Sequence, residues 1–239
     1  MAPKVIISYD GTDNDLDALA LGRIFGDAGA KVSLAYVRHS AEAQARREEL
    51  AEHEAEARLE RGAQWLGHPE VGRHVVLAAS TGEGLRQLAE SEEADLIIFG
   101  SDWHTTPGHV QPTRAAMRLL DGGPVAVAVA SARLRDDLDP QLERVALAGG
   151  EVDPAARSTA EALAAFAGTP LALPSQDGVD LLVLGSRPGA TAGRVSLSSA
   201  AEYLVETARS SVLVLPRDVA FSMENGAVRV GDETVEQQA

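Results

Sequence analysis

Two patterns of apolar residues alternate along this chain. Short aliphatic runs suit buried strands, and longer stretches carry apolar residues every three or four positions, as helices do. Lys4 to Tyr9 (KVIISY) is the first run. Leu16, Ala20 and Ile24 then give a helix its inner face, with Asp13 or Asn14 as its cap and Gly29 ending it. Lys31 to Val37 (KVSLAYV) reads as a second strand. The stretch 42–66 is strongly charged, but Ala51, Ala55, Leu59, Ala63 and Leu66 form an apolar stripe, so an amphipathic helix with a solvated outer face is expected. His74 to Ala79 is a third strand. Ser80 and Glu83 have capping-box spacing ahead of Leu85, Leu88 and Ala89. Asp95 to Phe99 and Val125 to Ala130 complete five strands alternating with helices, a pattern that implies a parallel, doubly wound α/β sheet.

The pattern then repeats in shortened form. Asp95-Leu-Ile-Ile-Phe-Gly-Ser is echoed by Asp180-Leu-Leu-Val-Leu-Gly-Ser, and Pro124-Val-Ala-Val-Ala by Ser211-Val-Leu-Val-Leu. Lys4-Val-Ile-Ile-Ser is echoed by Arg144-Val-Ala-Leu-Ala, and Asp153-Pro154 opens the helix that follows. The offset between the copies falls from 140 residues at the first strand to 85 at the fourth, so the second copy is shorter by 55, about one strand and two helices. Thr169 to Leu173 lies too close to Val179 for a parallel crossover and is expected at most along a sheet edge. The expected organisation is a full domain over 1–132, a linker over 133–141, an abbreviated domain over 142–217 and an acidic tail over 218–239. Within the tail, Glu224-Asn-Gly-Ala signals a hairpin turn between Ala220–Met223 and Ala227–Val230, and 231–239 is expected to be disordered.

Charge narrows the function classes. Twenty-one Lys and Arg against 36 Asp and Glu give a net charge of −15, which disfavours phosphate backbones, so no nucleic-acid partner is expected. There is no cysteine for a disulfide, a thiolate nucleophile or a thiolate metal site. No apolar run approaches the ~20 residues of a membrane span, and the first strand begins without a signal-peptide core. A cytoplasmic protein without a membrane partner is expected.

Candidate chemistry gathers where strands end. In doubly wound sheets, ligands bind beyond the carboxyl ends of strands. That edge would collect Asp10, Gly11 and Thr12, Val37, and the loop Gly100 to Gly108; the glycine-rich loop Gly185 to Gly193 occupies the matching place in the second half. A strand-to-helix loop suits an anion such as phosphate, although many glycine loops only turn the chain. Asp10 serves equally well as a ligand group or as a local turn and cap, and Ser198 and Ser199 suit a helix cap as well as a phosphate. Ser101 and Ser186 lack the Gly-x-Ser-x-Gly elbow of a hydrolase. Asp102, His104 and His109 share one loop but offer too few evident ligands for a metal, so no metal site is assigned.

Val5-Ile-Ile-Ser-Tyr-Asp-Gly-Thr, Asp95-Leu-Ile-Ile-Phe-Gly-Ser, Val179-Asp-Leu-Leu-Val-Leu-Gly-Ser and above all Leu197-Ser-Ser-Ala-Ala-Glu-Tyr-Leu-Val-Glu-Thr-Ala resemble the universal stress protein family in a tandem form with a shortened second domain. The resemblance implies two Rossmann-like or flavodoxin-like modules with parallel sheets, the first in strand order 3-2-1-4-5 and the second truncated. It implies that the fifth strands pair within the chain as a pseudo-dimer, and leaves a further homodimer open. The ATP-binding branch of the family carries Gly, two residues, Gly, nine residues, then Gly and Ser or Thr. Counted from Gly100, those slots hold Trp103, Thr113 and Arg114; counted from Gly185, they hold Pro188, Ser198 and Ser199. The implied adenine-nucleotide site is Asp10, Gly11, Thr12, Val37, Gly100, Ser101, Gly108 and Thr113 in the first half and Gly185, Ser186, Ser198 and Ser199 in the second. The expectation is a regulatory or binding protein, not an enzyme, with weak or absent ATP binding. The alternatives are a ligand-free interaction module, or an ATP-binding protein with slow hydrolysis.

Overall fold

In the computed structural model, which describes residues 2–39, 45–148, 153–174, 178–222 and 226–229, strands β1 (Lys4–Ser8), β2 (Lys31–Arg38), β3 (Gly72–Leu77), β4 (Leu96–Phe99) and β5 (Ala126–Val129) alternate with helices α1 (Asp15–Asp27), α2 (Ala45–Leu66), α3 (Thr81–Glu92) and α4 (Arg114–Leu120). The chain continues through β6 (Val145–Ala148), α5 (Pro154–Phe166), β7 (Leu181–Gly185), α6 (Ser199–Thr207) and β8 (Ser211–Leu215), and closes with the hairpin β9 (Val219–Ser222) and β10 (Gly226–Arg229).

Eight strands form one sheet in the order β3-β2-β1-β4-β5-β8-β7-β6. The first five follow the expected 3-2-1-4-5 order, and β6, β7 and β8 repeat the adjacency of β1, β4 and β5. All neighbours are parallel except β5 and β8, which pair antiparallel with Val127 opposite Val214 and Val129 opposite Val212. In place of two separate sheets, the chain therefore forms one continuous sheet, joined by the two strands the resemblance expects to pair. The free edge of β5 is satisfied by β8, which removes an unpaired edge from the middle of the molecule.

Strand alternation sets the layers. Val5, Ile7, Leu96, Ile98, Ala128, Leu181, Val183 and Leu213 point to the face covered by α1, α2 and α5. Ile6, Ile97, Phe99, Val127, Val129, Leu182 and Val212 point to the face covered by α3, α4 and α6. The alanine and leucine stripe of α2 faces the sheet as its spacing predicts, with Ala55, Leu59 and Ala63 buried; the expected start at 42 falls outside the described residues. Helix α1 starts at Asp15, and Asn14 occupies the cap position without a side-chain bond. Strand β3 begins two residues earlier than expected because it follows the register of β2, Ser33 opposite Gly72. Thr169 to Leu173 contributes one parallel bridge, Ala172 to Ala146, at the β6 edge.

The linker and the first part of the tail are both anchored. After β5, a 3-10 turn at Leu134–Asp136 is held on α1, where Asp17 accepts the backbone N–H groups of Arg133 and Arg135. After β8, the hairpin forms in the expected place, with Ala220 opposite Val228; its turn, 223–225, and the end from 230 lie outside the described residues. Phe221 on β9 is buried, donates its N–H to Thr159 Oγ1 of α5 and meets Phe25 of α1 edge-on.

Candidate functional site

The carboxyl ends of β1 and β2 open into a cavity of about 400 Å³. Asp10, Thr12 and Val37 line it, as does Tyr36, and α2 adds Arg58 while His39 and Thr81 close the side nearest α3. Asp10 folds back on its own loop, accepting the Thr12 N–H at 2.9 Å in an Asx-turn. Its own N–H is donated to the Asp15 carboxylate at 2.6 Å. Gly11 sits at φ +86°, and an added Cβ would come within 3.1 Å of Arg58 Cγ, so the loop and the arginine lie close together. The Arg58 guanidinium stacks over the Tyr36 ring, 4.7 Å from its centroid.

Two carboxyl groups, Asp10 and Asp15, meet at the head of α1. Burial, then the hydrogen bond to Asp10 and its charge, push Asp15 well above the usual carboxylate range. Burial also acts to raise Asp10, but hydrogen bonds from Asp15 and Thr12, with the Arg58 charge, outweigh it and hold Asp10 low. Of the pair, Asp10 at the cavity wall is the stronger acid, and Asp15 is the group that takes up a proton first as pH falls. Tyr9 beneath them is raised by burial and then by the Asp15 charge. A carboxyl raised by folding loses its stabilising contribution as pH climbs above the unfolded value. Asp15→Asn should therefore unfold at higher denaturant than the parent near pH 7. The two should converge near pH 3, below the ordinary aspartate value of about 3.9, where Asp15 is largely protonated in both states. Urea titrations at the two pH values check this.

The loop after β4 takes a different course. Gly100 is packed under the head of α1, where a Cβ would lie 2.2 Å from the Asn14 carbonyl oxygen. Ser101 is buried; its hydroxyl donates to the Ala130 carbonyl at 2.6 Å and accepts the Gln111 N–H. Gly108 donates its N–H to the Ala132 carbonyl, and Thr113 caps α4 by accepting the Ala116 N–H. The loop is thereby stitched to the end of β5. None of these four residues lines the β1–β2 cavity. Trp103 is 72% exposed and stacks on His104.

The second half reproduces this stitching. Ser186 donates to the Leu215 carbonyl at 2.7 Å and accepts the Ser196 N–H. Ser198 caps α6 by accepting the Ala201 N–H, and Ser199 is its exposed first residue. A Cβ on Gly185 would come within 2.9 Å of Asp153 and Ala156 at the head of α5. Asp153 is 2% exposed, accepts the Ala155 and Asp218 N–H groups and lies 3.7 Å from the Arg217 guanidinium. That ion pair occupies the ground above the strand ends. Asp10 has no counterpart among the described residues, because 149–152 lie outside them.

Of the twelve residues singled out from sequence, then, Asp10, Thr12 and Val37 converge on one cavity and Gly11 adjoins it. Arg58, Tyr36, His39 and Thr81 were not anticipated. Only the charge of Arg58 and the position of Tyr36 beside Val37 hinted at them.

Residues 1–131 match the universal stress protein family, more than half of the chain. The chain belongs to the universal stress protein family. Solved structures agree on the fold. A universal stress protein from Archaeoglobus fulgidus DSM 4304 is 14% identical with a TM-score of 0.68, over 90% of this chain and 98% of that one. A functionally unknown protein from Pseudomonas aeruginosa PAO1 is 14% identical with a TM-score of 0.54, over 91% and 94% of the two chains. No curated protein matches the sequence. Among the described residues of this family member, no helix is long and apolar enough to cross a membrane, and no three His, Cys, Asp or Glu side chains converge as metal ligands.

Proposed function

We propose that this universal stress protein is a non-enzymatic, regulatory binding protein. Its β1–β2 cavity takes the nucleoside part of an adenine nucleotide weakly, with little added by the phosphates. The observation that carries this reading is the division of the family's motif residues. Asp10 and Val37 stand at the cavity, whereas Ser101 and Thr113 spend their hydroxyls on Ala130 and on the α4 cap. An ionised Asp10 at the wall suits a pair of sugar hydroxyls as donors. Trp103 and Arg114 at the glycine and hydroxyl slots leave the phosphate side unsupported.

The second half reads as a shortened copy that serves the fold. Its buried Asp153, paired with Arg217, supports that role, and its β8 takes the β5 edge that a second copy of the chain would otherwise use. Calorimetric titration with adenosine, AMP and ATP tests the reading. All three should bind within about threefold of one another, with Kd above about 10 μM. ATP binding a hundredfold more tightly than adenosine would reveal a phosphate site and overturn it.

A further inference from the structure

A second and larger cavity, about 670 Å³, opens between the two halves and has no part in the nucleotide reading. The loop after β4 and helix α4 form one wall, through His104, His109 and Met117; α6 forms the other, through Glu202 and Glu206. Val110, Leu120 and Val205, all buried, supply an apolar floor. Its volume falls in the ordinary range for small-molecule sites, and its mix of apolar lining with a few polar groups is typical of them.

The charge of the walls selects the ligand. Glu202 and Glu206 are four apart on α6, so both carboxylates lie on one helix face, and like charges at that spacing repel. Neither side chain has a hydrogen bond or ion pair among the described residues. No Lys or Arg lines the cavity. A metal ion is disfavoured because no three ligating side chains converge among the described residues. What remains is an organic cation with an apolar body. We propose that this cavity binds a small amphipathic amine. Its ammonium would sit between Glu202 and Glu206 and its carbon skeleton on the Val110, Leu120 and Val205 floor.

Tryptamine is a suitable probe, with tryptophol, which replaces the ammonium by a hydroxyl, as its neutral counterpart. The full chain carries −15, so any amine is drawn weakly to its surface, and the controls must separate that attraction from the site. Calorimetric titration is run on the parent, on Glu202→Gln/Glu206→Gln, and on Glu49→Gln/Glu56→Gln. The last makes the same charge change on the exposed face of α2. The expected result is saturable one-to-one tryptamine binding, at least tenfold weaker for tryptophol and for the Glu202/Glu206 variant and unchanged in the α2 variant. Three results would each overturn the proposal: no saturable binding by the parent, equal weakening in both variants, or tryptophol binding as well as tryptamine.

Discussion

Asp17→Ala should destabilise the protein by about 2–4 kcal/mol, because a buried carboxylate that holds three donors is removed. The Asp17 carboxylate is 1% exposed and accepts three hydrogen bonds: from the backbone N–H of Arg133 and of Arg135, each at 3.0 Å, and from the Arg135 guanidinium at 2.8 Å. Truncation leaves two part-buried backbone N–H groups and the Arg135 guanidinium, 16% exposed, without their acceptor, and an orphaned donor costs about 1–3 kcal/mol where water does not replace its partner. The anchored segment is the one that leaves β5 for the second half, so its release also loosens the approach of the two halves on that face. Asp17→Asn keeps an acceptor oxygen and should lose less. Urea unfolding at neutral pH measures both variants. A loss below about 1 kcal/mol for the alanine variant would mean that the segment does not depend on α1 for its place.

Phe221→Ala should cost about 3–5 kcal/mol, for a different reason. Phe221 follows the last strand of the sheet, in a stretch that composition alone marks as an acidic tail. Yet its ring is 1% exposed and meets Phe25 with centroids 6.1 Å apart at 74°, an edge-to-face contact. It fills the space between α1 of the first half and α5 of the second. Removing it leaves a cavity that neither helix can close without shifting against the sheet. Phe221→Leu should recover more than half of the loss. A residue on a solvated tail would show a change within about 0.5 kcal/mol, which denaturant unfolding distinguishes easily.

The sheet was legible because most strands are short apolar runs bounded by a polar or glycine residue, and chain order alone brings Asp10 and Val37 to one edge. The caps were legible where a hydroxyl precedes a helix: Ser80 accepts the Glu83 N–H as its spacing predicts. Other contributions were hidden for identifiable reasons. Arg58 lies on the charged face of α2, and periodicity shows that the face is polar without showing which turn overhangs the end of β1. Asp15 sits one residue beyond the expected cap, and its elevated carboxyl depends on the Asp10 loop folding back on it. The hydroxyls of Ser101 and Ser186 stand in the family's phosphate loop by position, but the carbonyls that engage them, Ala130 and Leu215, belong to strands distant in sequence. Phe221 is a lone aromatic with no periodic neighbours, so nothing local marks it as core.

The central claim is that one nucleotide pocket survives, in the first half, and that it holds its ligand weakly through Asp10. Native mass spectrometry of the purified full-length protein tests it most directly, before and after adding about 1 mM ATP. The account predicts a ligand-free chain as purified, a single nucleotide adduct on addition, and loss of that adduct in Asp10→Ala. Stoichiometric ATP carried through purification, two nucleotides per chain, or an adduct untouched by Asp10→Ala would contradict it.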